Sequence, residues 1–211
     1  MDPRRYAKRA AVLYRWVIDP LVQPLRPKIV ALCLEHDIKH VLDIGCATGA
    51  QCRQLATAGI QATGVDLSEA MIASARAHSP ENVVFVIGSA CELPFESGRF
   101  DAAILSLALH EHSEEERSQM LAEALRVTKE DGHLVLAEYS EPARTRFHIP
   151  WAVIRFVEHI AGKEHRNGFR QFVEANSLQG LLERHGLMRI ETVPSHFHTL
   201  EIALARESFQ P

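Results

Sequence analysis

The sequence predicts an α/β fold in three layers, a seven-stranded and mostly parallel sheet with helices on both faces. Three observations carry that prediction. Short apolar strands alternate with helical segments between residues 40 and 139, the pattern of a parallel sheet wound by crossover helices. A turn rich in small residues, Gly45-Cys46-Ala47-Thr48-Gly49, joins the first strand to the helix after it. Beyond an interrupted stretch, a helix and two strands near 187–196 and 198–206 complete the count of seven.

The elements follow in order. Over residues 4–18, Tyr6, Ala10, Leu13 and Val17 fall at i, i+4, i+7 and i+11, with Arg4, Arg5, Lys8, Arg9 and Arg15 largely elsewhere on the wheel. That spacing predicts a basic amphipathic helix. Pro20, Pro24 and Pro27 break it and restart a second helix running to about His36. Next come strand 40–44, helix 50–58, strand 61–66, helix 68–78, strands 83–87 and 100–106, helix 113–127 and strand 132–139. Ser68 can cap its helix, Ser113 and Glu116 have capping-box spacing, and Gly59 and Gly132 read as helix stops. Between Glu141 and Asn176 the pattern changes to an apolar helix at about 150–161 flanked by irregular segments, an insertion over the active edge of the sheet. Helix 177–185 ends at Gly186 before the last two strands.

At 211 residues and 46% hydrophobic content, one domain can bury its own core. No run of about eighteen apolar residues and no signal-like N-terminus appear. Cys33, Cys46, Cys52 and Cys91 lack paired C-x-x-C spacing, so a cytoplasmic protein with reduced thiols is expected. Residues 1–30 hold seven Lys or Arg against two Asp, whereas the whole chain is at −4, which leaves an acidic body. Such a body argues against a broad nucleic-acid surface.

The chemistry concentrates around the first turn. Small residues there let a backbone approach a ligand closely at a helix N-terminus, the signature of a nucleotide-like site. Asp43, just before the turn, would repel a pyrophosphate but suits a ligand bearing an ammonium group. A dinucleotide fingerprint would need glycines where the chain has Gly45, Ala47 and Ala50, so an NAD-dependent oxidoreductase is supported only by the shared strand–turn–helix geometry. Asp66 closes the second strand about twenty residues after Gly45, where an acid can accept both hydrogen bonds of a ribose diol. The competing reading makes Asp66 a helix cap near Ser68.

These residues resemble the class I S-adenosylmethionine-dependent methyltransferases, and the likeness covers roughly residues 38–140. Gly64-Val65-Asp66-Leu67-Ser68-Glu69-Ala70-Met71 looks like the family's second motif. Gly88-Ser89-Ala90-Cys91-Glu92-Leu93-Pro94-Phe95, followed by Phe100-Asp101, is similar to the segment that receives the adenine. Leu125-Arg126-Val127-Thr128 and Asp131-Gly132-His133-Leu134 resemble the turn before strand five. The branch it most resembles includes the ubiquinone and menaquinone C-methyltransferases and the phospholipid N-methyltransferases. The resemblance implies a Rossmann-like sheet, S-adenosyl-L-methionine as cofactor, and Asp43, Gly45, Cys46, Ala47, Gly49, Asp66, Leu67, Ser89, Ala90, Cys91 and Ser106 as its binding residues. It also implies a single methyltransferase domain with a helical cap at 1–37, a cofactor-binding core at 38–140, an acceptor-side insertion at 141–176, and a helix and strand pair at 177–211.

Two residues depart from the family pattern. Ser89 stands where an acid usually accepts from the adenine amino group, and Ala47 replaces a middle glycine, which is tolerable if its Cβ points away from the ligand. These departures lend weight to a rival reading, a regulatory protein that keeps the cofactor pocket without transfer. Ser106-Leu107-Ala108-Leu109-His110 lacks the Asn/Asp-Pro-Pro-Tyr of nucleobase methyltransferases, which disfavours nucleic-acid acceptors.

Methyl transfer from a sulfonium is an in-line displacement with an activated leaving group, so a general base is optional. His110, just after strand four, is the candidate base, with adenine-side packing or a surface histidine as alternatives. Tyr14 resembles a tyrosine that closes over the methionine end, and a core-packed aromatic is its alternative. His110-x-His112 and His196-x-His198 lack a spaced third ligand, so no metal is expected. Trp16, Phe147, Trp151, Phe156 and Phe169, interleaved with Arg144, Arg146, His148, His165, Arg166 and Arg170, suggest a small or lipid-like acceptor with an apolar body and an anionic or hydroxylated head. The basic helix at 4–18 reads either as a lid or as a peripheral membrane contact, and a monomer and a homodimer both fit.

Overall fold

A computed structural model describes residues 22–140, 163–196 and 199–208. The helices expected at 4–18 and 150–161 lie outside the described residues, and so do Tyr14, Trp16, Arg144, Arg146, Phe147, His148, Trp151, Phe156 and His198. The side chains of His165 and Arg166 do too.

Helix α1 (Leu25–Glu35) leads into β1 (His40–Ile44), α2 (Ala50–Thr57), β2 (Gln61–Asp66), α3 (Glu69–Ala77), β3 (Val84–Ile87) and β4 (Phe100–Ser106). A single 3-10 turn, Leu109–Glu111, then precedes α4 (Glu114–Val127), β5 (Thr128–Tyr139), α5 (Lys163–Glu174), α6 (Ser177–Arg184), β6 (Leu187–Ser195) and β7 (Leu200–Glu207). The seven strands form one sheet in the order β3-β2-β1-β4-β5-β7-β6. Strands β1 to β5 pair in parallel, while β7 runs antiparallel between β5 and β6, so the sheet is mostly parallel as expected.

The strand order reverses between β1 and β4. Because right-handed crossovers then leave in opposite directions, α2 and α3 cover one face and α4 the other, and a crevice opens at the carboxyl ends of β1 and β4. The central strands are buried on both faces: Val41, Leu42 and Ile44 of β1, Ala102 to Leu105 of β4 and Leu134 to Ala137 of β5 are all at or near zero exposure. Their near-continuous apolar runs are what a doubly covered parallel sheet requires.

Capping follows the sequence closely. Ser68 Oγ accepts from Met71 N, and Ser113 and Glu116 form a reciprocal capping box that fixes where α4 starts, just beyond the 3-10 turn. At the opposite end of the sheet from the crevice, Asp101 accepts from the backbone N–H groups of Lys39 and His40 and from Lys129 Nζ, at 3.0, 2.8 and 2.6 Å. Burial pushes that carboxyl up, but these donors outweigh it and hold it below the usual range. Asp101 therefore anchors the start of β1.

Two expectations need correction. Gly132 does not end a helix, because α4 stops at Val127 and β5 already begins at Thr128. The register against β4 jumps from Phe100–Thr128 to Ala102–His133, so residues 129–132 bulge out of the ladder. A Cβ at Gly132 would lie 2.7 Å from the Asp101 carbonyl, so close backbone approach rather than helix termination requires the glycine. The stretch after about 161, expected to be irregular, holds α5. Its buried face includes Phe169 and Phe172, and charged residues occupy many of its other positions.

Candidate functional site

The turn after β1 is held by backbone geometry. Gly45, Ala47 and Gly49 take φ of +73°, +46° and +74° in succession, which folds the chain back over the end of β1. The N–H groups of Gly45 and Cys46 donate to the Val65 carbonyl at 2.8 and 3.0 Å, and that of Ala47 donates to Asp66 Oδ2 at 2.9 Å. The turn is thereby strapped to the end of β2. Gly49 cannot be replaced without cost, since a Cβ there would fall 2.6 Å from the Phe85 ring in a left-handed conformation. Gly64 has the same role across β2, where a Cβ would meet Cys46 Sγ and Phe85 at 2.8 Å.

Ala47 sits in the left-handed region that the family's usual glycine would occupy freely. Its Cβ costs about 1–2 kcal/mol of backbone strain there. The strain is local, and the bond from its N–H to Asp66 offsets part of it.

Below the turn, Asp43 is 3% exposed and its Oδ2 accepts from Cys52 Sγ at 3.3 Å. Burial raises its carboxyl to about 7, opposed by the Cys52 hydrogen bond and the nearby Arg26 cation. Burial also pushes the Cys52 thiol well up, so it stays a protonated donor. Asp43 opens onto a recess lined by Gly45, Cys46 and Ala47 of the turn, Gln51 of α2, Arg26 of α1, and Ser106 and Leu107 at the end of β4. Among the described residues no side chain caps α2, whose N-cap is Gly49, and Ala50 and Gln51 at the amide end of that helix line the recess.

Asp66 braces two loops at once. Besides Ala47 N on Oδ2, its Oδ1 accepts from Ser68 N at 2.8 Å. The cap of α3 is Ser68 itself, and Asp66 supports that cap from behind. Burial raises the Asp66 carboxyl, against the pull of the two backbone bonds.

Residues 42–136 match the family described as a methyltransferase domain. This segment of the chain is a class I S-adenosylmethionine-dependent methyltransferase domain. It is 38% identical over 114 residues to the demethylmenaquinone methyltransferase of Beutenbergia cavernae, covering 54% of this chain and 43% of that protein. It is 31% identical over 145 residues to the demethylmenaquinone methyltransferase of Thermotoga maritima, covering 68% of this chain and 62% of that protein. The chain thus spans roughly half the length of the curated relatives it matches. In fold it is similar to the crystal structure of magnesium protoporphyrin IX methyltransferase from Synechocystis PCC 6803 with bound SAH, at a TM-score of 0.60 and 19% identity over 99% of this chain and 89% of that one.

Within this methyltransferase domain, the residues singled out in the sequence fall into three groups. Asp43, Gly45, Cys46, Ala47 and Ser106 share the recess. Gly49 and Asp66 shape the turn above it. Leu67, Ser89, Ala90 and Cys91 lie beyond the recess, past the ends of β2 and β3. Leu67 is 74% exposed, and Ser89 Oγ accepts from Cys91 N at 3.1 Å, so that hydroxyl already serves its own loop.

His110 is not a surface histidine. It is 3% exposed within the 3-10 turn, and its Nδ1 lies 2.9 Å from Glu138 Oε2. Glu138, fully buried at the carboxyl end of β5, also accepts from Leu109 N at 2.7 Å on Oε1. The Tyr139 and Phe169 rings meet the His110 ring edge-on, at 4.9 and 6.2 Å between centroids.

Four residues escaped the sequence reading: Arg26, Gln51, Arg117 and Glu138. Arg117 and Gln51 had a legible signal, a polar side chain on the apolar stripe of a helix. Arg117 shares its stripe with Met120, Leu121, Ala124 and Val127, and Gln51 shares one with Cys52 and Leu55. Glu138 also stood out, as a carboxylate within the apolar run Leu134–Tyr139.

Proposed function

We propose that the protein transfers the methyl group of S-adenosylmethionine to a small, apolar or lipid-like acceptor. The observation that carries this reading is the buried Asp43 carboxylate set beneath a glycine turn at the sheet's switch point. A buried anion with room beside it suits a cationic amino-acid group and disfavours a pyrophosphate. The sulfonium of the bound donor supplies an activated leaving group, so the protein's task is to position the acceptor and exclude water.

His110 is the base in this reading, for acceptors that carry a proton. Its Nδ1 is committed to Glu138, which fixes the tautomer, and Nε2, 4.0 Å from Glu111 Oε1, is the nitrogen assigned to the proton transfer. Tyr139 and Phe169 pack against the His110 ring and against each other, so the surroundings of that imidazole are apolar, in keeping with a nonpolar acceptor. The demethylmenaquinone methyltransferases among its relatives support the same class. Among the described residues no helix is long and apolar enough to cross a membrane.

Incubation with methyl-labelled donor and a panel of quinols, phospholipids and small phenols, read by mass spectrometry, tests the proposal. Label in an apolar acceptor is the expected result. Donor binding without turnover across the panel would instead favour a non-catalytic protein, a reading that the strained Ala47 and the engaged Ser89 hydroxyl also support.

A further inference from the structure

We propose that Gln51 and Arg26 complete a clamp for the zwitterionic end of the cofactor, taking its carboxylate while Asp43 takes its ammonium. This rests on the reading that the recess receives S-adenosylmethionine. Gln51 is 6% exposed, and neither Oε1 nor Nε2 of its amide has a hydrogen-bond partner among the described residues. Buried amides are nearly always paired, because leaving both ends unmade forfeits the water they gave up. Here both orphaned atoms belong to a side chain that lines the recess, so a ligand there can meet them.

The charges agree with that placement. Among the described residues lining the recess, Arg26 and Asp43 are the charged ones, and they are of opposite sign. An α-amino acid group is the small ligand fragment that carries both complementary charges on one carbon. An amide adds what neither ion can: its N–H donates to a carboxylate and its oxygen accepts from an ammonium, so one side chain serves both ends. Arg26 comes from α1 and Gln51 from α2, outside the glycine turn that makes up the family motif.

Calorimetric titration of the full chain with S-adenosylhomocysteine and with 5′-methylthioadenosine, which lacks the amino-acid end, separates the outcomes. Gln51→Leu and Arg26→Met should each weaken S-adenosylhomocysteine binding about tenfold or more, and leave methylthioadenosine binding within about twofold. Because the amide is unpartnered without ligand, Gln51→Leu should leave the melting temperature of the free protein unchanged or raise it. Equal weakening toward both ligands, no weakening toward S-adenosylhomocysteine, or a Gln51→Leu protein that melts lower or fails to fold would each overturn the clamp. A wild-type protein that binds S-adenosylhomocysteine no tighter than methylthioadenosine would overturn it too, with the cofactor reading intact. Binding of neither ligand would overturn both.

Discussion

Two regions of this molecule bury polar groups, and they do so by opposite means. Over β1 and β2, the glycine turn is held by backbone N–H groups that donate to the Val65 carbonyl and the Asp66 carboxylate, all between residues 45 and 68. Beneath α5, the 3-10 turn that carries His110 is held by side chains from two other elements, Glu138 of β5 and Arg117 of α4. Arg117, with no exposure, donates from Nε to the Leu109 carbonyl at 2.9 Å and from Nη2 to the Gly168 carbonyl at 2.7 Å, and its guanidinium lies over the Phe172 ring. Gly168 has no room for a Cβ, which would lie 2.5 Å from the Glu111 carbonyl. The first region is rigid because of what the backbone may do. The second is rigid because a buried cation must find acceptors.

The largest effect is expected in the second region. Arg117→Met keeps much of the volume but removes two hydrogen bonds from a buried cation to the Leu109 and Gly168 carbonyls, and should cost about 3–5 kcal/mol in urea unfolding. A loss below about 1 kcal/mol would mean that α5 docks on apolar contacts alone.

Asp43 offers a pH-dependent test in the first region. Its carboxyl lies at about 7 in the folded protein against the usual 3.8, so the folded state keeps a proton that the unfolded chain releases. That stabilisation is full below about pH 4 and fades as pH rises to about 7, by up to about 4 kcal/mol. Asp43→Asn should flatten this part of the stability profile of the free protein, measured by urea unfolding at pH 4, 5.5 and 7. An unchanged slope would show that water reaches the carboxylate.

Gly49→Ala forces a Cβ into the Phe85 ring and a left-handed residue at once, and should cost about 2–4 kcal/mol in the same assay. Pairing it with Phe85→Leu should recover part of the loss, and no recovery would assign the cost to φ alone. The smallest effect is a gain: Ala47→Gly removes left-handed strain and should stabilise by up to about 1 kcal/mol in thermal unfolding. A loss would mean that the Ala47 methyl packs usefully.

The contrast also explains what could be read early. The turn, Asp43 and Asp66 were legible because their roles arise from residues close in sequence, where small side chains and strand ends leave a local mark. Even so, the double use of Asp66, one oxygen to Ala47 and the other to Ser68, was hidden, since both bonds depend on how β2 meets the turn. Gly132 misled because a glycine after a helix looks the same whether it ends that helix or fits against a neighbouring strand. Helix α5 was missed because its charged positions masked a narrow apolar face.

The sequence by itself determined the sheet, its winding and the position of the glycine turn, because apolar period, capping residues and small residues act over a few positions along the chain. Only the tertiary structure decided that Gln51 and Arg26 line one recess with Asp43, and that Arg117 and Glu138 hold the turn bearing His110. Those pairings join residues from 8 to 51 positions apart, or sit on different helices, and follow from which strands the crossovers make neighbours. A buried charge records in the sequence that it needs a partner, and the fold alone says which one.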